Sequence, residues 1–336
     1  MVIETATGEE AIILRCPTLK SFGLAAFSSY NGQFFRAARS IRRDPFQKEQ
    51  FMPSFFRLAP ACLMFTILIA ITSHARSADK PIAAVDANMC RAMQELDVLH
   101  KNAAVSCAQL RIVYFSYLGF DGKVHDDGAV MVMAALADHV QAIFATLLQR
   151  KFAIAGAQLM QHYRGDDLAA MRANNTSAFN DRAVTNGSAP SLHAYGAAID
   201  INPIQNPFVE FEDAGKTRYS PAAGSKYANR LVVRPGKAVR KGMAEDVVDV
   251  FAENGFLIWG GDWDAPIDYQ HFQISRTLAK RLAALPVAQA QVVFNDYVNS
   301  YRHCAAATKS VTASESGNIV KTNTVKTKCM AAVDQP

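Results

Sequence analysis

The chain has 336 residues, of which 50% are hydrophobic and 19% are charged, as in ordinary soluble folded proteins. Its formal net charge is +5 at pH 7, with 35 Lys or Arg against 30 Asp or Glu. The first 78 residues hold nine of the basic and five of the acidic residues, which leaves 26 basic and 25 acidic residues from Asp79 onward. A nearly neutral domain without a basic stripe that is interleaved with aromatic residues is not typical of nucleic-acid-binding proteins, so we expect no nucleic-acid partner.

An apolar run near the N-terminus, residues 58–72, follows Arg57 and is followed by small residues at the positions that a signal peptidase reads. The run is shorter than the ~20 residues that cross a bilayer and matches the ~7–15 residues of a signal-peptide core. We therefore predict a signal peptide over residues 52–75, after an upstream extension, residues 1–51, that is disordered or mis-started. The protein is then exported, to the periplasm or the cell exterior. The alternative is an uncleaved N-terminal anchor, which would be its only contact with a membrane.

Four of the six cysteines lie beyond this segment. An even number of cysteines in an exported chain favours two disulfides. Of the three possible pairings we expect the one between sequence neighbours, Cys90–Cys107 and Cys304–Cys329. None of the four has the Cys-x-x-Cys spacing of a metal knuckle, so they are not expected to bind a metal.

The apolar pattern predicts secondary structure along most of the remaining chain. In chain order, we expect a helix over 84–107, strands at 111–118 and up to 133 joined by an Asp121-Gly122 turn, an amphipathic helix over 135–149, a strand over 152–160, a loop over 174–190, a helix over 243–254, strands at 256–259 and 272–274, and two helices separated by Pro286. Hairpins that are segregated from helices favour an α+β fold, in one catalytic domain over residues 84–302. Residues 305–336 lack periodicity, which predicts a disordered polar tail.

The first motif that contains metal-ligating residue types runs from Ser191 to Asn202 and includes His193, Gly196 and Asp200. An imidazole and a carboxylate seven positions apart converge only if the chain bends or pleats between them, and glycine permits the close backbone approach. Both groups are suitable ligands for zinc. The pair alone is a weak signal, because many histidines are surface or core residues.

A second motif begins with Trp259-Gly-Gly-Asp262-Trp263 and ends with Asp268-Tyr-Gln-His271. His271 offers a third ligand, and Asp268 has a spacing that places it beside a metal-bound water. The alternative interpretation is that the tryptophans pack in the core and the aspartates lie in a solvated loop. Three protein ligands with a spare carboxylate nearby are typical of hydrolytic zinc sites.

The two motifs together resemble the zinc peptidases that cut peptidoglycan stem peptides. The shared pattern is Ser-x-His-x-x-Gly-x-Ala-x-Asp followed by Trp-Gly-Gly and Asp/Glu-x-x-His, and the resemblance covers about residues 150–275. These relatives include D-Ala-D-Ala carboxypeptidases and L-Ala-D-Glu endopeptidases. The resemblance implies a Hedgehog/DD-peptidase-like fold, a small antiparallel sheet flanked by helices, and a monomer that acts on peptidoglycan stem peptides.

The resemblance also implies roles for individual residues. His193, Asp200 and His271 match the Zn²⁺ ligands, and Asp268 matches the catalytic carboxylate, where several relatives have Glu. The family also uses an arginine upstream of the first histidine to hold the substrate or stabilise the oxyanion. Arg182, in the loop that leads into the motif, is the preferred catalytic candidate.

Further residues are candidates for substrate binding or for orienting the ligands. Arg164 is the second arginine candidate and is assigned to substrate binding, although it is equally suited to the surface. The bond that is cut stays open at this stage, and residues 203–235 are expected to select it. The other candidates for substrate binding are Ser191, Tyr195 and Trp263.

Two other classes of function remain possible from the sequence. The first is a non-catalytic, zinc-containing protein of the same fold that binds cell-wall peptides. The second is an anchor protein that uses residues 304–336 to bind a partner. The three zinc-ligand positions and the catalytic carboxylate are all filled, by His193, Asp200, His271 and Asp268, which favours an enzyme over a binding or anchor protein.

Overall fold

A computed structural model of the chain describes residues 81–185, 187–315 and 322–333. The predicted signal peptide, 52–75, and the upstream extension, 1–51, lie outside the described residues. The described part contains three antiparallel sheets of three strands each, with α-helices around them, which is the predicted α+β fold. None of its helices combines the length and apolar character that a membrane-spanning segment needs.

The first sheet is a meander near the start of the described chain. Its strands and the adjoining helices are β1 (Ile82–Ala84), α1 (Ala87–Glu95), β2 (Leu110–Leu118), β3 (Val124–Met133), α2 (Ala137–Gln149) and α3 (Asp167–Arg172). Helix α2 buries Val140, Ile143 and Leu147, at helical spacing. Its Phe144 stacks on Phe115 of β2 with ring centroids 3.6 Å apart. Strand β3 of this sheet contacts the first chemical motif, where the Met133 N–H donates a hydrogen bond to the Gly196 carbonyl at 2.9 Å.

The second and third sheets hold the two chemical motifs. Their elements are β4 (Ala198–Asp200), β5 (Phe208–Glu212), β6 (Lys216–Ser220), α4 (Val248–Glu253), β7 (Ile258–Trp259), β8 (Ile267–Asp268) and β9 (His271–Gln273). The strand order is β4-β9-β7 in one sheet and β6-β5-β8 in the other. The first of these sheets combines β4 of the first motif with β7 and β9 of the second, which brings distant parts of the sequence together. The other sheet joins β8 of the second motif to residues 208–220.

Three helices complete the fold: α5 (Arg276–Ala283), α6 (Val287–Glu315) and α7 (Thr322–Val333). Ser275 caps α5 by accepting a hydrogen bond from the Leu278 N–H at 3.3 Å. Helix α6 buries Phe294 and Val298 against α4 and Gly255, where a β-carbon would lie 2.7 Å from the Phe294 ring.

Both expected disulfides are present, Cys90–Cys107 and Cys304–Cys329. The second joins α6 to α7, so the described residues of the tail, 305–315 and 322–333, are helical where the composition predicted disorder. Lys326 of α7 is 5% exposed and its ammonium group pairs with Asp262. Apolar periodicity did not predict α7, because the Cys304–Cys329 disulfide and the Lys326–Asp262 ion pair hold this helix in place.

Two further elements differ from the sequence prediction. The first helix ends at Glu95 rather than at 107, because Asp97 takes a left-handed conformation with φ 56°. Residues 152–160 form only a single bridge, from Ala153 to Leu118. In this segment the N–H of Ala155 bonds instead to the side chain of Asn202, so the backbone is satisfied without a full strand.

Candidate active site

Asp200 and His271 face each other across two antiparallel strands. Asp200 ends β4 and His271 begins β9, and the two are direct partners in the register. Directly opposed residues point to the same face of a sheet. The Nδ1 atom of His271 consequently lies 2.9 Å from Oδ1 of Asp200.

His193 reaches the same point from a short 3₁₀ turn, His193–Tyr195. Gly196 ends this turn with φ +62°, and a β-carbon there would lie 2.6 Å from the backbone nitrogen of Met133. Only glycine lets the chain turn this closely over β3 before it enters β4. The Nε2 atom of His193 lies 3.2 Å from Nδ1 of His271 and 3.3 Å from Oδ2 of Asp200.

The outer nitrogen of each imidazole is held by an oxygen acceptor. Nδ1 of His193 lies 2.5 Å from the carbonyl oxygen of Ala178, and Nε2 of His271 lies 2.7 Å from Oε1 of Gln273. In the neutral imidazole each contact favours the N–H on the outer nitrogen, which leaves the lone pair of the inner nitrogen for a metal, as is usual for histidines that bind metals. With Asp200, these nitrogens form a buried group whose ligand atoms all lie within 4.8 Å of one another. The donor set fits a divalent metal such as zinc.

The charges of these groups are strongly linked when no ion is bound. Burial raises the pKa of Asp200, but the charges and hydrogen bonds of His193 and His271 outweigh burial and hold that pKa far below its usual range. Burial lowers the pKa of His271, but the hydrogen bond and charge of Asp200 raise it to about 9. Asp200 is therefore an anion ready to bind a cation, and a metal must displace a proton from His271.

Asp268 lies beside this group on β8, where its backbone pairs with Phe208 of β5. Its Oδ1 atom is buried and has no hydrogen-bond partner among the described residues. Burial, and after it the negative charge of Asp200, raises the pKa of Asp268 to about 7. A carboxyl group with such a pKa can both accept and release a proton near neutral pH.

The Trp-Gly-Gly sequence packs directly against Asp268. A β-carbon at Gly260 would lie 2.4 Å from the Asp268 carbonyl oxygen, and one at Gly261 would lie 2.2 Å from the Trp259 ring. The Trp259 indole donates a hydrogen bond to the carbonyl of Tyr269 at 2.8 Å. Gly260 is thus needed so that this turn can lie against β8, and Gly261 leaves room for the Trp259 ring. Trp259 itself is a core residue, as the alternative interpretation of the motif expected.

A cleft of about 600 Å³ opens over the group. Its walls come from the segment before His193, from β5 and from the turn before β8. The residues lining it are Arg182, Val184, Thr185, Ser191, Leu192, His193, Phe208, Glu210, Phe211, Trp263, Ala265, Pro266, Asp268, His271, Gln273 and Arg276. The Trp263 ring lies 5.5 Å from the His271 ring.

The part of the chain that forms this site is similar to a known protein family. Residues 185–274 match a family described as D-alanyl-D-alanine carboxypeptidase. The resemblance to the peptidoglycan metallopeptidases is confirmed. The matched stretch contains His193, Asp200, Asp268 and His271. No curated protein and no solved structure matches the chain.

Arg182 lies just before the part that matches the peptidase family and does reach the cleft. Its Nη2 atom is 2.8 Å from Oδ2 of Asp167, while its Nε atom is buried without a hydrogen-bond partner. Ser191 also lines the cleft, and its hydroxyl oxygen accepts a hydrogen bond from the His193 N–H at 3.3 Å. The carboxylate of Asp167 therefore orients Arg182, and one of its donors is left for another partner.

Two of the predicted substrate-binding residues are not brought to the cleft. Arg164 is exposed at the end of a 3₁₀ turn, with φ 51°. Tyr195 is 7% exposed and packs in the hydrophobic core. In the turn that presents His193 to the cleft, the residue two positions later points into the protein.

Two residues that the sequence prediction did not include, Gln273 and Arg276, also line the cleft. Gln273 had a visible signal, because residues two apart on a strand share a face and His271-x-Gln273 therefore places the amide beside the imidazole. Arg276 had none, since it follows the motif at the start of a helix. The acceptor for His193 is a backbone carbonyl, which no residue type identifies.

Proposed function

We propose that this protein is a zinc-dependent peptidase that hydrolyses an amide bond in the stem peptides of peptidoglycan. The family match supports a peptidase of this class. The metal, the substrate and the reaction are inferred from the chemistry of the cleft. The observation that carries the proposal is the convergence of two oriented imidazoles and one carboxylate beneath an unpaired buried carboxylate oxygen.

His193, Asp200 and His271 are the residues that would hold the zinc ion. A bound zinc ion would act as a Lewis acid and lower the pKa of water toward ~7. Two nitrogens and one oxygen would supply three protein ligands, the number that is typical of catalytic rather than structural zinc sites. The oxygen acceptors on Ala178 and Gln273 keep both imidazoles in the tautomer that this role requires.

Asp268 is the proposed general base and acid. Its buried Oδ1 atom lacks a partner, so it is free to take a proton from the attacking water. The same carboxyl group then gives the proton to the leaving amine, which keeps the proton balance over the reaction. Its raised pKa favours both directions of transfer near neutral pH.

Arg182 is the proposed donor for the oxyanion. Its guanidinium group borders the cleft, and its Nε–H lacks an acceptor. A buried donor without a partner has a desolvation penalty of about 1–3 kcal/mol. An oxygen that becomes negative in the transition state would remove that penalty, which is the arrangement that selectively stabilises a transition state.

The proposal includes export of the protein to the periplasm or cell exterior, where peptidoglycan is located. Two disulfides are consistent with an oxidising compartment. The β5 strand contributes Phe208, Glu210 and Phe211 to the cleft wall. These residues lie within residues 203–235, the segment that we expect to determine which peptide bond is cut.

Digestion of purified sacculi and muropeptides, followed by mass spectrometry, tests the proposal and identifies the bond. The wild-type protein loaded with zinc should release a defined stem-peptide fragment. Asp268→Ala should lose hydrolysis, by about 10²–10⁴-fold for a general base, while one zinc ion per chain remains bound. Full activity of Asp268→Ala would contradict its role. Bound zinc in the wild type without cleavage of any stem peptide would instead support the non-catalytic cell-wall protein.

A further inference from the structure

The surface loop of residues 226–241, here called the basic loop, has a one-sided charge. It contains six Lys or Arg and no Asp or Glu, although the domain as a whole is close to neutral. The loop has no helix or strand apart from a short turn at its start, and most of its residues are exposed. Its six cations are Lys226, Arg230, Arg234, Lys237, Arg240 and Lys241.

Two of the cations hold the base of the basic loop in place. Arg230 pairs with Glu245 at 2.6 Å and lies 4.2 Å from the centre of the Tyr269 ring. Arg240 donates hydrogen bonds to the carbonyl groups of Asn229 and Lys226. In the described part of the chain, the ion pairs near this loop involve Arg230 alone among its cations. Arg234 is half-buried, and the exposed side chains of Lys226, Lys237 and Lys241 present uncompensated positive charge to the solvent.

Large aliphatic side chains are exposed among these cations. Leu231, Val233 and Val239 are 62%, 70% and 59% exposed. The N–H of Arg240 donates to the Val232 carbonyl at 3.1 Å, which closes the tip and places Val233 and Val239 on adjacent limbs. A single exposed aliphatic residue is normal on a protein surface, but three within nine residues on a cationic loop indicate a specific environment.

We propose that the basic loop docks this domain onto the surface of an anionic phospholipid bilayer. The cations would contact lipid phosphates, and the three aliphatic side chains would enter the boundary between headgroups and acyl chains. A soluble polyanion would use the cations but would gain nothing from exposed Leu and Val. The combination therefore favours a lipid surface, and it does not depend on the hydrolytic function proposed above.

A fluorophore attached to the tip of the basic loop tests this directly. The probe is placed by Ala238→Cys in a full-length Cys16→Ser/Cys62→Ser background, because the other four cysteines form disulfides. Vesicles of phosphatidylcholine mixed with phosphatidylglycerol should shift its emission to the blue, and vesicles of phosphatidylcholine alone should not. A probe at exposed Ala288→Cys on α6 should not respond to either. This local readout stays valid whether or not the N-terminal apolar run binds lipid.

Variants separate the charge contribution from the apolar one. Each cation contributes about fivefold to partition onto an anionic surface, so Lys237→Gln/Lys241→Gln should weaken vesicle binding of the loop about 25-fold. Lys101→Gln/Lys280→Gln removes equal charge elsewhere and should leave binding unchanged. Val233→Ser/Val239→Ser should weaken binding by on the order of tenfold at constant charge, whereas Val292→Ser should not.

Three results would overturn the proposal. The first is an Ala238→Cys probe that does not respond to mixed vesicles. The second is full vesicle binding by Val233→Ser/Val239→Ser. The third is an equal response to soluble polyglutamate that persists in the serine variant, which would assign the loop to a soluble polyanion. Circular dichroism and thermal unfolding of each variant would establish that the fold is unchanged.

Discussion

At the scale of single residues, the orientation of each imidazole depends on one acceptor outside the three candidate ligands. For His271 the acceptor is the Gln273 side chain, 2.7 Å from Nε2. For His193 it is the Ala178 carbonyl, which mutation cannot remove. Gln273 is therefore the residue through which the effect of such contacts on metal binding can be measured.

Gln273→Leu should weaken zinc binding by about 10–100-fold, the usual effect of removing such a hydrogen bond. Gln273→Glu is the matched control, because it keeps an oxygen acceptor at the same position and should bind zinc at least as tightly as the wild type. Competition with a chelating dye of known affinity measures both values. Equal affinities for wild type and Gln273→Leu would show that the contact does not orient His271.

At the scale of elements, the approach of the His193 turn to β3 depends on Gly196. Gly196→Ala should lower the free energy of unfolding by about 2–5 kcal/mol. About 1–2 kcal/mol comes from the left-handed conformation, and about 1–3 kcal/mol comes from overpacking. Gly122→Ala is the control, because Gly122 also has a positive φ, +79°, but has no atom within 4 Å of the added carbon. If urea unfolding showed the same loss of unfolding free energy for Gly196→Ala and Gly122→Ala, the close approach of Gly196 to β3 would contribute nothing to stability.

A second prediction at this scale concerns helix α7 and the cleft. Lys326 pairs with Asp262, the residue before Trp263 in the cleft wall. Lys326→Met should loosen this turn and raise the fraction of tryptophan fluorescence that acrylamide quenches. Trp263 should account for the change, since Trp259 is buried. Lys328→Met, on the exposed side of the same helix, should have no effect. Unchanged quenching in Lys326→Met would exclude a link between the tail and the cleft.

At the scale of the whole molecule, the sequence predicts the site better than its surroundings. His193, Asp200 and His271 were identifiable because ligand chemistry restricts residue types, and β2, β3 and α2 because their apolar periodicity is strong. Helix α7 was missed because a disulfide and an ion pair hold it, rather than an apolar stripe. Arg164 could not be separated from Arg182 by type, since only the folded chain shows which of the two borders the cleft.

The candidate ligands come from two motifs, with Asp200 and His271 separated by 71 positions, so a bound metal should stabilise the whole domain. Zinc should raise the free energy of unfolding by about 4 kcal/mol when its free concentration is about 1,000 times the dissociation constant. Thermal unfolding with zinc and with a chelator measures the difference. His271→Ala should remove most of the zinc effect, while His125→Ala, which changes an exposed histidine in the β2–β3 hairpin, should retain it. A similar zinc effect in both variants would place the ion elsewhere.

The pH dependence of this stabilisation follows from His271. Burial lowers its pKa, but the hydrogen bond and charge of Asp200 outweigh burial and raise the pKa without metal from the ordinary 6.5 to about 9. The protonated pair therefore stabilises the zinc-free protein fully below pH 6.5, and this contribution is lost as the pH rises through about 9. Zinc must displace the same proton, so its affinity should increase over that window, by up to tenfold per pH unit. Calorimetric titrations in buffers of different ionisation enthalpy should show about one proton released per zinc ion at pH 7.5. Zinc binding without proton release would contradict the protonated state of His271.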